Sequence, residues 1–432
     1  MSATTETAAP RARSAADDLW RSGSVRHSWS AFWQSRLLIW VAAALALLLY
    51  GVNPSIRAVF DPRHVSSSLG AVGNVLGAPA VRWDALWYLQ IAHSGYRSLQ
   101  DTGFFPLYPL LIRIVSWPLH SPAAAGIAVS MVATFVGLVI VHRLTALELG
   151  ARPARTAVQL LAFAPFAFYL SAVYTEGVFL ALSAGTFYAA RRGRWELAGL
   201  AGGLAALTRV TGVLLLAPVL LLYLYGPRAD GAPLLRRSGS RPLWSLLRPR
   251  YRLDARALWS LLIPAGLAAF CVYTALRGFG LTATFRAQHI YWQHQFKGPF
   301  AGAWDGLVAA WHEAKALLSG NTGPAYRTPA ILQLGVLAAS VVALVGLFRR
   351  LPAAYGTYVL LGLLIPLSSP TVGDPLRGLD RYASMMFPLF MWLALWAGTR
   401  RRARVLLAVF GLLLVAFTVQ FATWHIVGTI PS

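Results

Sequence analysis

The chain has 432 residues, of which 57% are hydrophobic and only 12% are charged, against about 25% charged residues in soluble domains. This composition, a mean hydropathy of +0.57 and repeated long apolar runs exclude a soluble enzyme, a disordered chain and a disulfide scaffold. The net charge of +23 would suit nucleic acid in a soluble protein. Here the basic residues lie in short loops beside apolar runs, so we expect no nucleic-acid partner.

The apolar runs predict an all-α polytopic membrane protein with about eleven transmembrane helices. Residues 1–36 are polar and indicate a cytoplasmic tail ahead of the first span, Leu37–Val52. The remainder, 37–432, is then a single transmembrane domain. The ten later runs lie at about 122–142, 156–173, 177–190, 195–208, 211–225, 257–276, 329–348, 353–369, 384–398 and 405–425.

The charge distribution orients these spans. With the N-terminus in the cytoplasm, the inner segments hold 25 basic and seven acidic residues, and the outer segments hold 13 and eight. This asymmetry is what the positive-inside rule expects, so we predict a multi-pass plasma-membrane protein. The outer loops are then about 53–121, 277–328 and 370–383, and a basic inner loop covers 226–256. An additional span at 104–119 would reverse the orientation of all later segments and place their basic residues outside. That segment is therefore predicted to be interfacial or re-entrant.

Among the outer acidic residues, Asp84 has the most distinctive surroundings. It follows Arg82 and Trp83, and Trp87 and Tyr88 come directly after it. Because Trp and Tyr favour the headgroup level, this stretch is predicted to lie along the outer membrane surface. A carboxylate there is a candidate general base. The alternative is a surface aspartate paired with Arg82.

Two further outer motifs are candidates for substrate contact. Pro106 and Pro109 interrupt helix formation, so their segment can turn at the interface and present Tyr108 to a site. Tyr174 and Glu176 lie between two spans with almost no loop, where an ionisable group is expensive and indicates function. The alternatives are an ordinary helix entry for the first motif and a helix N-terminal acid for the second.

Arg209 and Arg381 lie beside predicted spans near the outer end, and either guanidinium could bind an anionic lipid phosphate. The alternative is a structural ion pair, for which Asp380 is the neighbour of Arg381.

The outer loop also contains a polar and aromatic string that suits stacking on a sugar, or equally an interfacial aromatic belt. A metal site would need a third ligand, and no HxxxH or HExxH spacing occurs, so we expect no metal cofactor. Walker, GxGxxG and cytoplasmic DxD motifs are also absent, which argues against nucleotide chemistry on the inner face. The residues of the string are Gln288, His289, Tyr291 and Trp292, with Gln293 and His294 following.

Taken together, these strings resemble the PIG-V-type mannosyltransferases, which belong to the GT-C superfamily of membrane glycosyltransferases. Trp87-Tyr88 departs from the pattern, since a histidine–aromatic pair is expected there. The matching pieces, in chain order, are Arg82-Trp83-Asp84, Ile91-Ala92 with Gly95-Tyr96, Phe104-Phe105-Pro106 with Pro109, Tyr174-Thr175-Glu176 with Phe179, Thr208-Arg209 with Gly212, Gln288 with Tyr291-Trp292, and Arg381-Tyr382 with Phe387-Pro388.

The resemblance implies a polyprenyl-phosphate-linked mannose donor, an active site on the outer face and a catalytic aspartate, which would be Asp84. Arg209 and Arg381 would hold the donor phosphate, and Glu176 and Tyr174 would position a sugar hydroxyl or one of these arginines. The acceptor is a glycolipid, a lipoglycan or an exported protein. Two other hypotheses stay open: a flippase or transporter of a lipid-linked sugar, and a scaffold in a cell-envelope complex.

Overall fold

The computed structural model describes residues 23–50, 77, 80–230, 249–320 and 329–423. Sixteen α-helices account for most of these residues, which confirms the all-α fold class. They are α1 (Ser24–Tyr50), α2 (Asp84–Ser94), α3 (Leu107–Leu119), α4 (Pro122–Leu149), α5 (Ala151–Ala162), α6 (Glu176–Arg191), α7 (Trp195–Ala206), α8 (Leu216–Tyr225), α9 (Leu262–Leu276), α10 (Ala283–Tyr291), α11 (Ala301–Leu318), α12 (Ala330–Arg350), α13 (Ala353–Ser368), α14 (Leu379–Met385), α15 (Phe387–Ala397) and α16 (Arg400–Thr423).

Five stretches of helix are long and apolar enough to cross a bilayer, and the chain is a multi-pass membrane protein. These are most of α1, all of α4, α12 and α16, and the stretch Ala255–Leu276, which contains a short 3₁₀ helix followed by α9. The other apolar helices among the described residues are shorter. The total of about eleven spans therefore stays a prediction.

The observed helices differ from the predicted segments in three places. α1 begins at Ser24, so residues 24–36 of the predicted tail are helical, and Arg36 is buried with its Nη2 donating to the carbonyl of Ala162. Residues 1–22 lie outside the described residues. The predicted span 156–173 is not one helix, because α5 ends at Ala162 and Pro165 disfavours helix in the residue before it.

The predicted span 384–398 is likewise divided, into α14 and α15 at Met386. Pro388 explains the break, since a proline removes the N–H that would bond one turn back and its ring clashes with that carbonyl. Much of the predicted inner loop 226–256 and the beginning of the first outer loop fall outside the described residues.

α3 forms most of the segment predicted to be interfacial. Its 13 residues extend about 20 Å, whereas the hydrocarbon core of a bilayer is about 30 Å thick. One face is buried and the other is apolar and exposed, a pattern typical of helices that lie at a membrane interface. The buried residues are Tyr108, Pro109 and Ile112, and the exposed ones include Leu110, Ile114 and Trp117. The interfacial position itself stays a prediction.

The central helix α6 packs against α4 and α7 and carries a buried charged residue at each end. Glu176 is its first residue and Arg191 its last. Arg191 pairs with Glu148, whose carboxylate also accepts a hydrogen bond from the hydroxyl of Tyr355 at 2.7 Å. The same end of the helix bundle holds further arginines of the predicted inner segments. Arg191 also donates to the carbonyl of Pro227, next to Arg228, and α5 begins directly after α4, with its Arg152 and Arg155 in one cavity with Arg400 and Arg404 of α16.

Glycines allow α7 and α9 to approach closely. A β-carbon added at Gly199 would lie 2.0 Å from the carbonyl oxygen of Trp259, and one at Gly266 would lie 2.2 Å from that of Gly203. Gly199 and Gly203 thus belong to a helix-packing surface, and small residues at such contacts are typical of membrane helices.

This contact yields a stability prediction. Gly266→Ala is expected to lower the free energy of unfolding by about 1–3 kcal/mol, because two backbones must move apart to admit the methyl group. Gly335→Ala, in α12, is the matched control, since no atom outside its own helix backbone lies within 4 Å of the added carbon. Unfolding of the purified protein in mild detergent measures both, and equal stabilities of the two variants would contradict the assigned contact.

Candidate active site

Four ionisable side chains from distant parts of the chain form one ion-paired cluster, which we call the charge cluster: Asp84, Glu176, Arg209 and Arg381. Arg381 Nη1 lies 2.6 Å from Asp84 Oδ2, and the same guanidinium contacts Glu176 Oε1 through Nε at 2.9 Å and Nη2 at 2.7 Å. Arg209 Nη1 lies 2.9 Å from the same Glu176 oxygen. The cluster contains two positive and two negative groups.

Glu176 is the centre of the cluster. Its side chain is fully buried, while those of Arg209, Arg381 and Asp84 remain 15%, 21% and 27% exposed. Its Oε1 accepts hydrogen bonds from both arginines, whereas Oε2 has no partner within the part of the chain that the structure describes. As the first residue of α6, Glu176 also lies in the favourable field of the helix N-terminus. The prediction that Glu176 positions an arginine is consistent with these contacts.

Aromatic rings also pack against both guanidiniums. The guanidinium of Arg381 lies 4.7 Å from the ring centroid of Tyr174 and 5.3 Å from that of Tyr169, and that of Arg209 lies 5.2 Å from Tyr382. Burial alone would lower the pKa of Arg381, but the carboxylates of Glu176 and Asp84 outweigh it and raise that pKa. Arg381 therefore remains a fixed cation.

The backbone just before Asp84 is strained. Trp83 has φ 54° and ψ −117°, a conformation that a residue with a side chain rarely adopts and that costs on the order of 1–3 kcal/mol. Neighbouring residues hold this turn in place: the N–H of Val173 donates to the carbonyl of Ala80 at 2.8 Å, and the hydroxyl of Tyr174 donates to that of Arg82 at 3.1 Å. Tyr174 thus contacts both the turn that carries Asp84 and the guanidinium that pairs with it.

A wall of aromatic rings extends from α2 to α10. Trp87 stacks on Phe104 with centroids 5.7 Å apart, and Trp292 packs edge-on against Phe104 at 5.4 Å. The side-chain amide of Gln288 donates to the carbonyl of Gly103 at 3.2 Å. Gln288 and Trp292 therefore join the second predicted outer loop to the first.

Three predicted site residues have other surroundings. Tyr108 is fully buried, with its hydroxyl 2.6 Å from Ser130 Oγ and 3.1 Å from the carbonyl of Gly126, so it supports the interior and is not presented to a site. His289 is exposed, and its Nδ1 lies 3.1 Å from the carbonyl oxygen of His294. Tyr291 is exposed at the end of α10.

The structure adds three residues that the sequence reasoning did not select. Thr175 accepts a hydrogen bond from Arg209 at 3.1 Å, and Tyr382 and Tyr169 lie against the two guanidiniums. Thr175 and Tyr382 are direct neighbours of selected residues, so adjacency could have found them. Tyr169 lies in the apolar run 156–173, where only its hydroxyl distinguishes it from the residues around it. Among the described residues, no group of three or more His, Cys, Asp or Glu is placed to hold a metal ion.

Comparison with known proteins supports the predicted resemblance. Residues 32–222 match the model of the family described as mannosyltransferase (PIG-V), a range that includes Asp84, Glu176 and Arg209. A 168-residue stretch is 30% identical to GPI alpha-1,6-mannosyltransferase 2 of Cricetulus griseus, covering 36% of this chain and 34% of that protein. The match thus spans about a third of the relative's length. The resemblance to the PIG-V-type mannosyltransferases is confirmed.

Two solved structures are similar to this chain at low sequence identity and with TM-scores below 0.5. ArnT from Cupriavidus metallidurans bound to undecaprenyl phosphate has a TM-score of 0.47 and 14% identity, over 91% of this chain and 62% of that one. The Archaeoglobus fulgidus oligosaccharyltransferase in complex with Zn and sulfate has a TM-score of 0.36 and 13% identity, over 88% and 53%.

The charge cluster combines one partly exposed carboxylate with two fixed cations beside it. This arrangement can bind an anionic group on the guanidiniums and accept a proton on Asp84 within the same few ångströms. The structure thus brings together four of the predicted site residues, with Tyr174 beside them.

The buried position of Glu176 yields a prediction for folding. Glu176→Gln removes the charge that both arginines face, and breaking a buried pair in this way costs about 3–5 kcal/mol. We expect a corresponding loss of thermal stability in detergent. Glu196→Gln is the control, because Glu196 also lies in the first turn of its helix, α7, but is exposed. If both variants melt like the unmodified protein, Glu176 is not the centre of the cluster.

Proposed function

We propose that the protein is a membrane mannosyltransferase that uses a polyprenyl-phosphate mannose donor and acts at the outer face of the plasma membrane. The observation that carries this proposal is the charge cluster, in which the candidate base Asp84 contacts Arg381, and Glu176 joins Arg381 to the second candidate phosphate ligand, Arg209. The family match supports the transfer of mannose.

The positions of charge along α6 support the outer face. The 16 residues of α6 extend about 24 Å, with the charge cluster at the first residue and the arginine-rich end of the bundle at the last. Since basic residues accumulate on the cytoplasmic side, the end that carries Asp84 is then the outer one. The proposal also places the N-terminus, which precedes α1, in the cytoplasm.

In the proposed reaction the prenyl tail stays in the bilayer and the donor phosphate contacts Arg381 and Arg209. Engagement of Arg381 by the phosphate frees the Asp84 carboxylate to accept the proton of the acceptor hydroxyl. The acceptor oxygen forms a bond to C1 of mannose while the bond from C1 to the phosphate oxygen breaks, with inversion at C1. The electron pair leaves with the prenyl phosphate, whose growing negative charge the two guanidiniums stabilise. The acceptor is a glycolipid, a lipoglycan or an exported protein.

A flippase or transporter of lipid-linked sugar is the alternative. Such proteins place their ionisable residues near mid-bilayer, where substrate and coupling ions bind. In this chain the charge cluster lies at one end of α6, and the residues of α6 between its two ends carry no charge. This distribution favours an enzyme at the interface.

The base is tested with Asp84→Asn. The amide cannot take up the proton, so we expect mannose transfer to fall by about 10²- to 10⁴-fold while the protein remains folded. The assay supplies polyprenyl-phosphate [¹⁴C]mannose and a crude envelope lipid extract to the purified protein. Asp305→Asn is the matched control, because Asp305 forms an exposed pair with Lys297 away from the cluster. Near-normal turnover by Asp84→Asn would reject Asp84 as the base.

The phosphate ligand is tested with Arg209→Gln. Loss of one charge-assisted contact, about 1.5–3 kcal/mol, predicts a decrease of about 10- to 100-fold in kcat/KM for the donor. Arg209→Lys should recover part of this loss, because it restores the charge but not the planar geometry. Arg286→Gln, on exposed α10, is the control. Unchanged donor kinetics in Arg209→Gln would place the phosphate site elsewhere.

A further inference from the structure

A cavity of about 840 Å³ opens at the end of the bundle opposite the charge cluster. It lies between the beginning of α5, the turn from α15 to α16, and the beginning of α1. α5 follows directly on α4, whose Glu148 pairs with Arg191 at the far end of α6. The cavity is therefore separated from Asp84 by the length of the bundle, and the proposed transfer reaction makes no use of it.

The described residues of the cavity wall carry only positive charge. Four arginines are among them, Arg152, Arg155, Arg400 and Arg404, and none of the described wall residues is acidic. All four are exposed, and none takes part in the ion pairs found within the described ranges. Other arginines of the protein do have carboxylate partners, as Arg191 and Arg228 do at this same end. The four cavity arginines are thus available for an anion from outside the chain.

Two helix N-termini add to this positive field. Ala151 and Arg152 are the first residues of α5. Arg400 is the first residue of α16, and Thr399 directly precedes it and accepts a hydrogen bond from the N–H of Arg402. All four line the cavity. The first N–H groups of a helix have no partner within it, and they favour negatively charged groups such as phosphate. Side-chain and backbone donors therefore converge on one space.

Most of the other wall residues are apolar. Leu395, Ala397 and Leu407 contribute hydrocarbon surface, and Thr156 and Gln159 add neutral hydrogen-bonding groups. A free inorganic anion would make no favourable contact with the apolar surface. A lipid headgroup with the first carbons of its acyl chains would use both parts, and basic pockets between membrane helices on the cytoplasmic side are suited to such headgroups.

We propose that this cavity binds the headgroup of an anionic phospholipid, and that a lipid with two phosphates, such as cardiolipin, fits it best. Four guanidiniums can bind two phosphates, with two guanidiniums on each phosphate. Each arginine can pair with a phosphate through two parallel hydrogen bonds. The volume of about 840 Å³ lies within the range of pockets that take drug-sized ligands, which is larger than a single phosphate requires. The bound lipid would join α1, α5 and α16, three helices that also pack on one another.

The effect of such a lipid should extend along α16. The other end of this helix places Phe421 against Tyr169 and Tyr174, at centroid distances of 5.6 and 6.2 Å, and these are the rings that hold Arg381. A ligand that fixes the start of α16 therefore stabilises a helix that supports the charge cluster. Because a ligand that binds only the folded state raises its stability, thermal unfolding reports occupancy directly.

The test measures thermal unfolding of the full-length protein in mild detergent while lipid is added. The probes are cardiolipin, phosphatidylglycerol, phosphatidylcholine and inorganic pyrophosphate. We expect cardiolipin to raise the melting temperature in a saturable manner at the lowest concentration, phosphatidylglycerol to act more weakly, and phosphatidylcholine and pyrophosphate to have little effect. An equal effect of pyrophosphate would assign the cavity to a soluble anion and overturn the lipid proposal.

Paired variants locate the site. Arg155→Gln with Arg404→Gln should raise the cardiolipin concentration at half-effect by about tenfold or more, equivalent to about 1.4 kcal/mol. Arg401→Gln with Arg402→Gln removes the same charge from the first turn of α16 but outside the cavity, and should change that concentration by less than about twofold. Equal losses in both pairs would indicate a diffuse basic surface and overturn the proposal. Since binding is measured without transfer, failure of the proposed mannosyltransferase activity leaves this result unaffected.

Discussion

The structure at the site depends on one buried carboxylate that two arginines share. Glu176 has no exposed side-chain surface, and an isolated charge in such a position would be several kcal/mol unfavourable. Arg209 and Arg381 come from the end of α7 and from α14, so neutralising this charge requires both segments to meet the start of α6. Arg381 then also contacts Asp84 at the start of α2. One electrostatic requirement thus brings four parts of the chain together.

The two carboxylates of the cluster differ in accessibility. Glu176 is buried and its Oε1 accepts from both guanidiniums, whereas Asp84 keeps some exposure and pairs with only one of them. Tyr174 contributes to the surroundings of both, because its ring supports Arg381 and its hydroxyl holds the carbonyl of Arg82. The strained Trp83 is the local consequence: the turn adopts a conformation that its own sequence disfavours because neighbouring segments fix it on both sides.

Much of this could be predicted from the sequence, and the part that could not has physical reasons. Apolar runs located most helices, and Asp84, Glu176, Arg209 and Arg381 could be selected singly from their neighbours in the sequence and their positions relative to the predicted spans. Their mutual contacts could not be predicted, since Asp84 and Arg381 are 297 positions apart and a single sequence gives no distance information. The sequence instead left open the neighbouring pairs Asp84 with Arg82 and Arg381 with Asp380.

Hydropathy also failed where a proline interrupts an apolar run. The segments 156–173 and 384–398 are hydrophobic enough to span a bilayer, yet both are broken, near Pro165 and Pro388. These breaks have a role at the site. The first releases the chain to form the turn that carries Tyr169 and Tyr174, and the second allows α14 to bring Arg381 to Glu176. Mean hydropathy over a window of residues cannot detect either break. The helix ends there, but the residues on both sides of the break remain apolar.

Charged contacts at both ends of α6 fix its length and rotation. An α-helix advances 1.5 Å and turns about 100° with each residue. One inserted or deleted residue between Glu176 and Arg191 would therefore move one of these side chains to a different face and separate it from its partners. Homologous chains can vary freely in the identity of the apolar residues along this helix. Their number between the two charges should be constant, so a gap in an alignment at this helix would mark a protein with a different arrangement of the site.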